Sequence, residues 1–276
     1  MRVAVVGHVE SIEFARVDHV PEAGEIVHAT ETWLGPGGGG GGVAVVQLRK
    51  LAGEARLYTA LGDDALGRDS KEALESEGIH VETTFRPDPQ RRCFVYIDGK
   101  GERTITTIGE RLGASGRDQL DWAWFERADG VYFTAGDAEA LRMARRARAV
   151  VATSRVLDDL ARARVPLDAV VGSAEDQAER YHDIEPTPKL VVLTSGEDGG
   201  EYRTADGESG RFDAVPLPGP RVDSYGAGDS FAAGLTFALG AGYGTRDALH
   251  LAARCGAHAL TGRGPYGGQL TAAELG

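Results

Sequence analysis

Cysteine is almost missing from this 276-residue chain: Cys93 and Cys255 stand alone, far apart in sequence. They supply neither a disulfide framework nor a CxxC metal site, and such sparing use suits a reducing, cytoplasmic setting. Long apolar runs are missing as well. After Met1-Arg2 the run Val3–Val6 stops at Gly7, too short for the apolar region of a signal peptide or for a membrane span. Positive charge is in deficit, since 30 Lys and Arg face 42 Asp and Glu for a net charge of −12. A surface of that sign suits neither nucleic acid nor an anionic membrane, so the expected partner is a small molecule. A local basic pocket for a nucleotide stays compatible with it. The seven histidines form no metal-spaced pair with a carboxylate.

What is present is a large apolar complement, 42% of residues, enough for one α/β domain spanning 1–276. Val3–Val6 reads as a central parallel strand, and Arg56–Thr59 as a second. From Gly130 onward apolar runs alternate with helix-spaced segments, ending in two helices predicted over Gly226–Leu239 and Thr245–Thr261. This rhythm predicts a mostly parallel sheet with helices on both faces, a three-layer architecture. Two polar β regions, about 10–34 and 84–110, interrupt the rhythm and predict a small, discontinuous β-sheet lid. Within the second, Arg92–Ile97 and Arg103–Ile108 flank Asp98-Gly99-Lys100-Gly101, a hairpin. Exposed lid strands can pair between subunits, which makes a homodimer through the lid compatible with the pattern.

Glycine, at 39 residues, is abundant and concentrated in one tract, Gly37–Gly42, ahead of a helix predicted over Val43–Ala52 with Gly53 as its C-cap. Bare backbone there can approach a ligand closely. Matches to G-x-G-x-x-G inside six glycines mean nothing, and no G-K-[ST] follows, so the tract is not a Walker P-loop. A Rossmann dehydrogenase is disfavoured too, because Gly7 is isolated and no acidic residue follows at the required spacing.

The chemistry centres on Asp223-Ser-Tyr-Gly-Ala-Gly-Asp229. Gly226, Ala227 and Gly228 open a helix with almost no side chain, so its unpaired first-turn N–H groups can receive an anion. Asp229 sits beside that trap. A carboxylate next to an anion site is costly unless it handles a proton, which points to phosphoryl transfer to an alcohol. The bland alternative is an Asp in the first turn of an ordinary helix.

The heptapeptide resembles the D-T-x-G-A-G-D signature of the ribokinase-like, or PfkB, carbohydrate kinases, with Ser224 in place of Thr. The resemblance implies an ATP-dependent kinase using Mg²⁺, with a monovalent cation such as K⁺ as a further candidate. It makes Asp229 the catalytic base and Gly226, Ala227 and Gly228 the anion hole. Thr194-Ser-Gly196-Glu-Asp-Gly199 resembles the family's T-x-G-x-x-G, and with Ser173, Asp223 and Ser224 it falls on the nucleotide side. Gly62-Asp-Asp64…Gly67 resembles G-D-D-x-x-G. The family's N-x-x-E, associated with magnesium, falls on Ser173-Ala-Glu-Asp176, so Asp176 or Glu175 is the expected outer-shell partner of Mg²⁺.

At the sugar end the pattern departs. The usual Asp falls on Ile12 and the usual Asn on Val43, beside Gly38 and Gly39. Glu10, two residues from Ile12 on the same strand face, is the expected substitute. Two aliphatic groups facing an acceptor predict one with a less polar body around its hydroxyl. An alternative of another class is a nucleotide or metabolite sensor that kept the fold and lost catalysis.

Overall fold

In the computed structural model, which describes residues 1–275, two sheets share the work. The chain runs β1 (Arg2–Val6), β2 (Glu10–Arg16), β3 (Glu31–Gly38), α1 (Gly39–Ala52), β4 (Glu54–Gly62), α2 (Ala65–Ser76) and β5 (His80–Arg86). It continues through β6 (Arg92–Ile97), β7 (Arg103–Ile108), β8 (Gly130–Phe133), α3 (Ala138–Ala144), β9 (Ala149–Thr153), α4 (Leu157–Ala163) and β10 (Ala169–Ser173). It closes with β11 (Leu190–Thr194), β12 (Gly200–Thr204), β13 (Ser209–Phe212), α5 (Ala227–Ala241) and α6 (Thr245–Ala259).

The large sheet has nine strands in the order β13-β12-β11-β10-β9-β8-β1-β4-β5. It is parallel from β5 to β11 and antiparallel at β12 and β13. Successive side chains of a strand point to opposite faces, so a strand covered on both faces must be apolar throughout. β1 obeys this: Val3 and Val5 join the core that includes α1, α5 and α6, while Ala4 and Val6 join the one that includes α3 and α4. The three layers of the sequence reading follow directly.

The small sheet has four strands in the order β3-β2-β6-β7, with β2 and β6 parallel and the outer pairs antiparallel. Its boundaries differ from the predicted ones at one point. Residues 84–86 end β5, which pairs with β4 in the large sheet, so the second lid segment begins only at Arg92. The polar character of His80–Arg86 reflects an edge strand that is only half-buried.

The glycine tract also divides differently. Gly37 and Gly38 finish β3, and Gly39–Gly42 form the first turn of α1, which therefore starts four residues earlier than predicted. Gly53 does cap it in the left-handed region at φ 83°, with its N–H bonded to the Arg49 carbonyl. After β10 the alternation of strand and helix is reduced to a single short turn, Gln177–Glu179.

Candidate active site

β4 and β8 lie on either side of β1, so the strand order reverses at β1 and leaves a crevice at the carboxyl ends of β1 and β8. A cavity of about 580 Å³ fills it and extends towards β11, with the lid on its open side. α5 points its N-terminus into this space. Gly226 caps that helix at φ 77°, and a Cβ there would lie 2.8 Å from Val43 Cγ1, so the position requires glycine. The amides of Ala227 and Gly228 belong to the first turn and have no partner within the helix. Gly228 itself is unstrained, and a Cβ on it would meet nothing within 4 Å. It therefore leaves space, and the position that needs glycine's conformational freedom is Gly226.

Asp229, in the first turn of α5, lines the cavity. Burial, and then the Glu179 carboxylate, push its pKa up to about 6, with Arg155 and Arg103 opposing. The glycine tract lies against it: a Cβ on Gly40 would fall 2.9 Å from both Asp229 Oδ1 and Thr134 Oγ1. The buried Tyr225 hydroxyl accepts the Gly39 N–H at 2.9 Å and fixes the start of α1 to the Asp223–Asp229 loop.

Glu10 and Gly39 line the cavity with Asp229, and so do Thr194 and Asp176 at the far end. Asp176 accepts from Arg155 Nη2 at 2.7 Å, and its pKa is lowered by the Ala178 N–H, despite partial burial, and by Arg155. Ala227, Asp223, Ser224, Ser173, Gly196, Gly199, Glu175 and Gly38 are not on the lining. Asp223 staples the loop, accepting the Tyr225 N–H at 2.8 Å and the Gly264 N–H at 3.0 Å. Ser224 docks the lid: its N–H donates to the Gly101 carbonyl and its Oγ accepts the Arg103 N–H, both at 3.0 Å. Asp64 of the G-D-D segment caps α2 through the Gly67 N–H at 2.9 Å, and its other oxygen accepts the Gln90 N–H at 2.9 Å, at the root of the lid.

One expectation is overturned. Ile12 and Val43 do not face the cavity; both are buried with Phe14, Cys93, Val95, Ile97 and Tyr225 in the core between the lid and α1. The apolar acceptor read from them has no support, because the walls are instead charged. Glu10 does line the cavity, although the β2–β3 register shifts between it and Ile12, and there Arg91 Nε donates to it at 2.7 Å and Cys93 Sγ at 2.9 Å. Sequence reasoning missed His8, Arg91, Arg103, Arg111, Arg155 and Glu179, all on the lining. No motif joins them, since five come from separate connections and Arg103 from the start of β7, and they meet only through topology.

Asp176 and Glu179 offer hard oxygen donors on the cavity lining, which suits Mg²⁺. Among the described residues no three His, Cys, Asp or Glu side chains form a metal cage. The fit is therefore to an ion that keeps much of its water shell.

Comparison with known proteins identifies the family and the fold. The chain matches the model of the pfkB family carbohydrate kinases over residues 1–166 and 139–272. It is 28% identical over 278 residues to the ATP-dependent ribose-1-phosphate kinase of Halopiger xanaduensis, covering 93% of this chain and 91% of that one. It is 28% identical over 272 residues to the aminoimidazole riboside kinase of Salmonella typhimurium, covering 83% of each. Among solved structures, a ribokinase from Thermotoga maritima superposes with a TM-score of 0.75 at 20% identity, covering 99% of this chain and 97% of that one. The adenosine kinase of Sinorhizobium meliloti gives 0.76 at 20% identity over 96% and 95%. No helix among the described residues is long and apolar enough to cross a membrane.

Proposed function

The chain belongs to the pfkB family of carbohydrate kinases, and from that membership we propose that it transfers the γ-phosphoryl group of ATP to a hydroxyl of a sugar or nucleoside, with Asp229 as general base. Kinases of this family use ATP, typically with Mg²⁺. The named relatives act on ribose 1-phosphate and on aminoimidazole riboside, both ribosyl compounds, which supports an acceptor of that size.

The nucleotide's phosphates would lie from Thr194 towards the amides of Ala227 and Gly228, which receive charge developing on the transferred group. Asp229 takes the proton of the acceptor hydroxyl as its oxygen bonds to the γ-phosphorus and the bond to the β-phosphate oxygen breaks, releasing ADP. Mg²⁺, when bound with the nucleotide, supplies neutralisation of the phosphate oxygens, and Asp176 and Glu179 would hold its water shell. The lid, fixed to the Asp223–Asp229 loop through Ser224, keeps water from competing as acceptor.

The observation that carries this reading is a carboxylate raised to about 6 in the first turn of a helix whose Gly226 cap and Gly228 line the same cavity. A mere nucleotide sensor has no use for a poised base there. With ribose, fructose, adenosine and ribose 1-phosphate offered in turn, ADP release should be seen with at least one. Asp229→Asn should lower kcat on it by about 10²-fold or more while nucleotide affinity stays within a few-fold. Near-normal kcat in that variant would remove Asp229 from the role. Repeating the assay with K⁺ replaced by choline checks the monovalent-cation dependence.

A further inference from the structure

Asp176 and Glu179 suit the water shell of Mg²⁺, yet one guanidinium already joins them. Arg155 Nη2 donates to Asp176 Oδ2 at 2.7 Å and also to Glu179 Oε1, which accepts Arg155 Nε as well, at 3.1 Å. The other Asp176 oxygen accepts the Ala178 N–H at 2.8 Å. A cation bridging the two carboxylates needs the place that Nη2 holds. Two cations cannot share it, because their repulsion at contact matches the attraction of either to one carboxylate.

The backbone around these three residues is fixed, and the side chains are not. Arg155 lies in the short turn Ser154–Val156 after β9, and its N–H donates to Thr153 Oγ1 at 3.3 Å. Ser154 Oγ donates to the Glu179 carbonyl at 2.7 Å, which ties that turn to Gln177–Glu179. A Cβ on Gly172 would fall 2.4 Å from Ser154 Oγ and 2.7 Å from the Glu179 carbonyl oxygen, so glycine there lets the turns meet. Beyond these ties the side chains of Arg155 and Asp176 are 34% and 43% exposed. Ion pairs so open to water hold weakly, and a divalent ion arriving with a nucleotide's phosphates can take the arginine's place.

Arg155 also has a second set of anions within its cavity. It lines the same space as Gly228 and Asp229, and among the cations it bears most strongly on Asp229. A guanidinium fork matches phosphoryl oxygens as well as it matches carboxylates.

We propose that Arg155 is an exchangeable counter-ion with two stations. Before Mg²⁺ and nucleotide bind, it neutralises Asp176 and Glu179; once they bind, it releases both carboxylates and its guanidinium holds the γ-phosphoryl oxygens beside Asp229. The proposal rests on the kinase reading and deepens it, since the arginine reaches the group in transfer only in the metal-loaded complex. The exchange makes no covalent bond and moves no proton.

Binding measurements test it without an acceptor. Mn²⁺ alone, followed by the electron paramagnetic resonance of the free ion, should bind Arg155→Met about tenfold or more tighter than the wild type. Arg155→Lys keeps the charge and should stay near the wild type. Adding Asp176→Asn and Glu179→Gln to Arg155→Met should abolish the gain. The second station is read by calorimetry with a non-hydrolysable ATP analogue. Arg155→Met should weaken its binding by about 10- to 100-fold with Mg²⁺, the worth of a charge-assisted bond to phosphate, and by no more than about threefold in EDTA. ADP, without a γ-phosphate, should lose no more than about threefold in either condition. Equal Mn²⁺ affinity in wild type and Arg155→Met, or a gain that survives loss of both carboxylates, would overturn the first station and the exchange with it. An analogue loss that is the same with Mg²⁺ and in EDTA would show that Arg155 never moves, and an equal loss for ADP would take it off the γ-phosphate; either overturns the proposal and leaves the kinase reading standing. If the titrations come out as expected and no hydroxyl compound is phosphorylated, the kinase reading fails and the exchange stands.

Discussion

Asp229 has a carboxyl pKa of about 6, set mainly by burial and by Glu179. In its proposed role as base it must be ionised, so kcat/KM should fall about tenfold per pH unit below roughly pH 6. An acid limb near pH 4, the ordinary carboxylate range, would mean that the base is another group. The same shift has a stability sign. A carboxyl whose folded pKa lies above its unfolded value favours folding when protonated, so its ionised form weakens the fold as pH rises from about 4 to about 6. Asp229→Asn should therefore raise Tm at pH 7.5. The gain is at most about 3 kcal/mol for full burial and less in a cavity that admits water, and it should vanish by pH 4. Unequal Tm values at pH 4 would assign the effect to packing instead. Gly40 shows how closely the neighbours are set. Gly40→Ala would press a methyl into Asp229 Oδ1 and Thr134 Oγ1, and a shift of this size should cost about 10- to 100-fold in kcat with the fold intact, read by steady-state kinetics beside circular dichroism. The value of Gly40 was hidden within six identical residues, whereas Asp229 was legible because a carboxylate after Gly-Ala-Gly has a chemical meaning of its own.

The elements that matter are the start of α5 and the lid that touches it. Gly226→Ala places a side chain at φ 77° and against Val43 Cγ1, a strain of about 1–2 kcal/mol, so Tm should drop by several degrees where Gly228→Ala leaves it nearly unchanged. Equal shifts from the two would show that the left-handed cap is not maintained. α5 and α6 were readable because their apolar spacing is unambiguous, and the 92–108 hairpin because Asp98-Gly99-Lys100-Gly101 has turn chemistry. Asp98 Oδ1 indeed accepts the N–H groups of Lys100 and Glu102, at 2.8 and 2.9 Å. β5 was missed because an edge strand half open to solvent lacks the apolar run that marked its neighbours. The start of α1 was misplaced because four glycines carry no helical signal, and tertiary contacts alone hold that turn, among them the Tyr225 hydroxyl on Gly39.

At the scale of the molecule, the large sheet carries the Thr194 end of the cavity, where the proposed reading puts the nucleotide, and the lid covers the end it assigns to the acceptor. The layered core was legible because parallel strands covered on both faces read as unbroken apolar runs, as in Val3–Val6. The cavity's charge was not, since Arg91, Arg111 and Arg155 follow different strands and only the strand order gathers them. The same division predicts how ligands tighten the protein. A nucleotide spanning Thr194 to Gly228 touches mainly the large sheet and α5, whereas an acceptor between Asp229, Glu10 and Ile105 touches both sheets at once. Bound ligand stabilises whatever it joins, by RT ln(1 + [L]/Kd). Hydrogen exchange in 92–108 should therefore slow on adding acceptor, or acceptor with a non-hydrolysable ATP analogue, by a factor approaching the occupancy ratio. The analogue alone should protect 190–199 and 226–232 and leave the hairpin almost as it was. Ser224→Ala removes the oxygen that receives the Arg103 N–H, so in that variant the acceptor's protection of the hairpin should shrink while the nucleotide's protection of 226–232 persists. Full protection of the hairpin by the nucleotide alone would show that the lid answers to the phosphate donor, and the acceptor would then have no part in closing it.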